Sequence, residues 1–208
     1  MIRETAVSRR ELLKQLGMAS VAALALPDLG RVLAFQREVL KTTAPVGVLS
    51  ASARATLDAI CARIIPTDAS GPGATEARAA EYIDRALGGW LAPSLEAYTT
   101  GLAAVDDAAV ARGGGRFVDL APAQQDAVLT ALEQTPFFAL ARAHTIQGTF
   151  CDPAYGGNAN FVGWDLIGYP GVRLNVTAAD QRMTTPAKPI RRSAYDYAMF
   201  AAGAPHAH

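Results

Sequence analysis

Between residues 50 and 150 prolines and glycines cut the chain into short pieces, and within each piece the apolar positions recur every three or four residues, never every two. In SASARATLDAICARIIP, residues Leu57, Ile60, Cys61, Ile64 and Ile65 fall on one face of a helix; Ser50 or Ser52 can cap its start and Pro66 stops it. TDASGPGA (67–74) is a loop by composition. A second helix is expected over roughly 75–87, burying Tyr82, Ile83, Ala86 and Leu87 before Gly88-Gly89. A third starts at Pro93 and carries Leu95, Tyr98, Leu102, Val105 and Ala109 as far as Gly113-Gly114-Gly115. Pro122 opens a fourth, with Val128, Leu129 and Leu132, and Pro136 a fifth, with Phe137, Leu140, Ala141 and His144. The pattern predicts an all-α protein, a compact helical bundle of about five to six helices with short connections. Residues 151–171, CDPAYGGNANFVGWDLIGYPG, change character and read as an irregular, Gly- and aromatic-rich segment; 172–208 form an extension expected to be weakly structured.

The start of the chain reads differently. In SRRELLKQLGMASVAALALP the paired Arg9 and Arg10 precede a short apolar run, Leu16–Leu26, that Pro27 ends, and Val32-Leu33-Ala34 offers small residues for cleavage. The run is too short for a membrane span, which needs roughly 20 apolar residues. The order of features resembles a twin-arginine export signal over residues 1–34, the kind that delivers folded cargo; the plainer alternative is a basic amphipathic helix. Residues 35–50, with Thr42, Thr43, Pro45 and Gly47, read as a linker, leaving 51–171 as the folded domain. Export by this route places the protein in the periplasm.

The 208 residues carry no net charge, and those after residue 34 carry a slight acidic excess, so no basic surface for nucleic acid is expected. The two cysteines, Cys61 and Cys151, admit either a disulfide, as an oxidising compartment favours, or two separately buried thiols.

Catalytic, cofactor and metal sites are not legible. Gly113-Gly114-Gly115 follows a helix rather than a strand, so it is no dinucleotide loop, and there is no phosphate-binding loop or CxxC. Of the histidines, His206 and His208 are terminal and His144 lies on an apolar helix face, where a hydrogen-bonded core residue competes with a catalytic base. Asp152 and Asp165 can be read as paired carboxylates, or Asp152 as the residue that starts a turn at Pro153. Gly156-Gly157-Asn158 suits positive φ.

Two blocks carry a resemblance. The first is Leu57-Asp58-Ala59-Ile60-Cys61-Ala62-Arg63-Ile64-Ile65-Pro66-Thr67-Asp68 with Tyr82-Ile83-Asp84. The second runs from His144 through Gly148, Asp152, Pro153, Tyr155, Gly156, Gly157 and Asn158 to Trp164, Gly168, Tyr169, Pro170 and Gly171. Together, over about residues 53–171, they resemble the gluconate 2-dehydrogenase subunit 3 family. The resemblance implies a small, helical, non-catalytic subunit of a periplasmic sugar or sugar-acid dehydrogenase, associated with the inner membrane through its partners. It also implies a flavoprotein partner of the glucose–methanol–choline oxidoreductase type that holds FAD, often with a cytochrome c subunit. The small subunit would help that partner mature and carry it through the twin-arginine translocase. Cys151 has no counterpart in the family pattern.

Tyr155, Phe161, Trp164 and Tyr169 sit among turns instead of along one helical stripe, which suits either a partner interface or a seal on the open end of the bundle. The competing expectation is a free-standing periplasmic enzyme or ligand-binding domain built on His144, Asp152, Tyr155 and Asn158. An escort that leaves after export is a third.

Overall fold

A computed structural model of the chain describes residues 47–178, 180–182 and 187–200. Arg9, Arg10, the expected signal segment and most of the expected linker lie outside them. The described residues form helices α1 (Ala51–Ile64), α2 (Ala79–Leu87), α3 (Leu95–Ala111), α4 (Pro122–Leu132), α5 (Pro136–Phe150) and the short α6 (Val162–Leu166), with single 3-10 turns between them and no named strand. The fold is the all-α bundle that the three- and four-residue spacing demands.

Local chemistry sets the helix ends. Ser50 accepts the N–H of Ala53 to cap α1, and Thr135 accepts that of Phe138 to cap α5 ahead of Pro136. Two helices start later than expected: α3 at Leu95, because Pro93 lies in the 3-10 turn Ala92–Ser94, and α2 at Ala79. Glu76 accepts hydrogen bonds from Thr67 Oγ1 (2.6 Å) and from the Gly73 N–H (2.9 Å), which holds the preceding residues in turns. The chain then enters α2 through Arg78 at φ 57°.

Leu57, Ile60, Ile83, Leu87, Tyr98, Leu102, Val105 and Val128 build the core, as their spacing requires, and Phe117 joins them from the 3-10 turn Phe117–Asp119. Helix α5 runs through the middle and packs on α1, α2, α3 and α6. Its approach to α2 depends on Gly148, where a Cβ would stand 3.0 Å from both the Cα and the carbonyl oxygen of Ala79. The last part of the expected linker is attached rather than loose: the N–H of Leu49 donates to the buried Asp84 carboxylate, which also pairs with Arg54 at 3.0 Å.

The described residues of the extension after residue 171 hold one 3-10 turn, Ala194–Asp196, and are otherwise irregular. They are nevertheless docked on the body. The N–H of Ile190 donates to Pro170 O and Arg191 pairs with Asp165, while Tyr197 Oη donates to Val172 O within the extension. Polar side chains and backbone make these contacts, so no apolar period announces them.

Candidate functional site

The segment after α5 is organised around one buried side chain. Asn158 is fully buried and adopts a left-handed conformation (φ 44°, ψ 43°), which Asn tolerates better than other non-glycine residues. Its Nδ2 donates to Cys151 O (2.8 Å), its Oδ1 accepts from the Gly163 N–H (2.7 Å), and its own N–H donates to Gly148 O (2.8 Å). These bonds tie the end of α5 to the start of α6 and fix which way the amide points. Gly157 must be glycine because a Cβ there would lie 2.2 Å from Gly148 O. Gly156 and Asn158 take the positive φ expected of that triplet.

Trp164 is buried, and its indole N–H donates to Phe150 O, a carbonyl left free at the end of α5. Phe161 and Tyr169 pack against it, with ring centroids 5.4 and 4.9 Å away. Of the four aromatics expected at a partner interface, Trp164 is thereby a seal, since its one polar atom and its faces are consumed inside. Phe161 is half-buried, whereas Tyr155 and Tyr169 are exposed.

Asp152 starts the turn at Pro153 by accepting the Ala154 N–H (2.9 Å). The same carboxylate receives Ser193 Oγ (2.6 Å) on Oδ1 and the Ala194 N–H (2.8 Å) on Oδ2, so it anchors the C-terminal extension. Asp165, the other carboxylate considered with it, pairs with Arg191 instead.

His144 is buried on α5, with Tyr98 Oη 3.0 Å from its Nδ1 and the two rings stacked. Desolvation lowers its pKa, so the ring is neutral at pH 7. Burial raises the pKa of Tyr98 as well. Neither group is poised as a base facing a cleft. His144, Asp152, Tyr155 and Asn158 each make separate bonds, to Tyr98, to Ser193 and Ala194, to Tyr195, and to Cys151 and Gly163. Among the described residues no three His, Cys, Asp or Glu side chains group as metal ligands.

Cys61 and Cys151 are unbonded in the structure, Cys61 buried and Cys151 half-buried. Cys61 Sγ lies 3.3 Å from Thr145 Oγ1, while Cys151 follows α5 six residues further on, an axial distance of about 9 Å. Burial pushes the Cys61 thiol up to about 12 and raises that of Cys151.

What remains open to a partner is an apolar groove of about 570 Å³, lined by Tyr82, Trp90, Ile146, Gln147, Phe150, Cys151 and Tyr155. No charged side chain lines it, and Trp90 (62% exposed), Tyr155 (56%) and Ile146 (39%) stand at its surface. The sequence reading named Tyr155 alone among these exposed anchors. Ile146 carried a signal: it is an apolar residue off the buried face of α5, which holds Ala141, His144, Thr145, Gly148 and Thr149. Trp90 directly follows Gly88-Gly89, and a bulky aromatic at a turn has no helical face to bury it.

No curated protein and no solved structure matches the chain. A family model does, over residues 51–171, from the first residue of α1 to the glycine that ends the aromatic segment: gluconate 2-dehydrogenase subunit 3. Its match takes in both the bundle and the Asn158-centred motif, and the chain therefore belongs to the gluconate 2-dehydrogenase subunit 3 family, as an accessory subunit of a multi-subunit dehydrogenase with a separate catalytic partner.

Proposed function

We propose that the chain escorts a flavin-dependent sugar or sugar-acid dehydrogenase subunit, stabilises it while it takes up FAD, and carries it into the periplasm through its own twin-arginine signal. The observation that carries this reading is the combination of an uncharged apolar groove with a motif whose polar groups are spent internally. Such a surface can hold a protein partner but offers a substrate little to bind or to transfer a proton. The large exposed side chains Trp90, Ile146 and Tyr155 supply rigid anchors of the type that dominate interfaces.

The residues present do not fit FAD. A dinucleotide needs free backbone N–H groups for its pyrophosphate, and those of Asn158, Ala159 and Gly163 are committed to Gly148 O, Ala77 O and Asn158 Oδ1. The flavin belongs to the partner, and with it the reason for exporting a folded complex. A cytochrome c subunit would complete the assembly at the inner membrane.

The experiment is affinity capture of the tagged chain from its native periplasm, with an absorption spectrum and dye reduction on several sugars. A co-purifying flavoprotein that disappears from the periplasm when Arg9 and Arg10 are both replaced by Lys supports the escort. A flavoprotein that stays periplasmic without those arginines refutes it.

A further inference from the structure

From the placement of the C-terminal extension we infer that residues 187–200 are the second wall of the docking surface for the catalytic subunit, latched in place by Asp152. The segment they receive is apolar and carries no basic side chain. This rests on the docking reading proposed above and names the surface on which it operates.

Size is the first argument. A specific interface uses about 20–30 residues a side, and the groove offers only a handful of side chains, so the contact must continue onto a neighbour. Tyr155 lines the groove, and Tyr195 packs against it, with ring centroids 6.1 Å apart at 88° and the two hydroxyls 3.4 Å apart. The extension is thus continuous with the groove.

Its construction is the second argument. The segment is held by polar contacts: Ser193 Oγ and the Ala194 N–H on Asp152, the Ile190 N–H on Pro170 O, and Arg191 on Asp165. Its large apolar side chains stay substantially exposed, Tyr195 at 52% beside Tyr155, Met199 at 61% and Phe200 at 48%. A segment folded for its own burial would reverse this. Seven of the thirteen exposed large hydrophobics among the described residues belong to the groove (Trp90, Ile146, Tyr155) or to residues 187–200 (Ile190, Tyr195, Met199, Phe200).

Charge is the third. Arg191 is neutralised by Asp165, Arg192 lies 4.3 Å over the Tyr197 ring and donates to Asp196 O, and the Asp196 carboxylate accepts the Ser193 N–H. Lys188 and Arg192 remain exposed without a carboxylate partner among the described residues, so the wall is mainly apolar with a slight positive excess, which disfavours a basic partner segment.

The test uses the full chain and the flavoprotein subunit that co-purifies with it, with affinity read by biolayer interferometry and strap order by hydrogen exchange. Three variants are compared: Y195A/M199S/F200S on the outer face of the strap, D152A at the latch, and W90A/I146S in the groove. Each is checked for an unchanged helical circular dichroism spectrum. The strap-face variant is expected to weaken binding at least tenfold, D152A to do likewise while speeding exchange in residues 187–200, and complex formation to slow exchange there in the wild type. Strap-face binding within twofold of wild type, with the groove variant down tenfold, overturns the inference and leaves the docking reading standing. Faster exchange of the strap in the complex also overturns it, because the strap would then be displaced. If groove and strap variants both bind within twofold of wild type, the docking reading falls with it.

Discussion

Replacing Asn158 by Ala removes the side chain on which the segment after α5 is organised. The substitution leaves the Gly163 N–H without Oδ1 and the Cys151 carbonyl without Nδ2. The first group is buried and the second partly so. At about 1–3 kcal/mol for each orphaned group, the pair costs about 3 kcal/mol, weighted toward Gly163. Ala also tolerates the left-handed conformation less well than Asn, which adds up to about 1 kcal/mol. A loss of about 3–4 kcal/mol corresponds to a fall in Tm of about 6–16 °C for a domain of this size. Chemical and thermal unfolding of the full chain measure it. Asn158→Gly separates the terms, since it relieves the backbone strain but not the lost bonds, and should recover no more than about 1 kcal/mol relative to Ala. An Ala variant within about 1 kcal/mol of wild type, well below the range for two orphaned groups, would refute the claim that this amide organises the motif.

Burial also gives the protein a pH dependence. Because the folded pKa of His144 lies below its unfolded value, the unfolded chain binds the extra proton. Its contribution is fully present above the unfolded pKa of about 6.5 and is lost as pH falls through the window down to the folded pKa. Tm measured from pH 7.5 to 5 should therefore drop more steeply for the wild type than for His144→Gln. Gly148→Ala must open the α2–α5 crossing, where the new Cβ meets the Ala79 backbone at 3.0 Å, and should cost about 1–3 kcal/mol in urea unfolding. Thiol titration should find two reactive cysteines in denaturant, with Cys61 unreactive in the native protein because it is buried and its pKa stands near 12.

Helices α1, α3, α4 and α5 were legible because each states its own limits: Ser50 or a proline at the start (for α3, in the 3-10 turn just before it), and a glycine run, a proline or Asp-Pro at the stop. The buried faces followed from spacing alone, and Leu57, Ile60, Tyr98, Leu102 and Val105 sit where that spacing put them. The start of α2 was not legible, because it depends on the Glu76 carboxylate reaching back to Thr67 and Gly73, a contact that composition does not encode. In the site, the residues of the motif were visible but not their division of labour. Trp164 and Tyr155 belong to one aromatic-rich stretch, yet one is buried on Phe150 O and the other faces outward; only the path of the chain through Asn158 decides which. The docking of 187–200 escaped for a plainer reason: hydrogen bonds from Ser193, Ala194 and Ile190 leave no periodic trace.

The groove and residues 187–200 differ in how firmly they are held, and the difference bears on how the proposed docking surface would work. Tyr82 and Phe150 in the groove belong to α2 and α5, the closely packed helices around Gly148, so the groove keeps its shape for as long as the bundle is folded. The strap buries only Ser193 among residues 187–200. Its hydrogen bonds near solvent are each worth about 1 kcal/mol net, so it opens at a small fraction of the global unfolding free energy. A partner seated across Tyr155 and Tyr195 would exclude water from the Asp152–Ser193 contact and strengthen it, because polar bonds gain as the local dielectric falls. Binding and strap closure then favour each other, and the free subunit gives way to a tighter one only when a partner is in place.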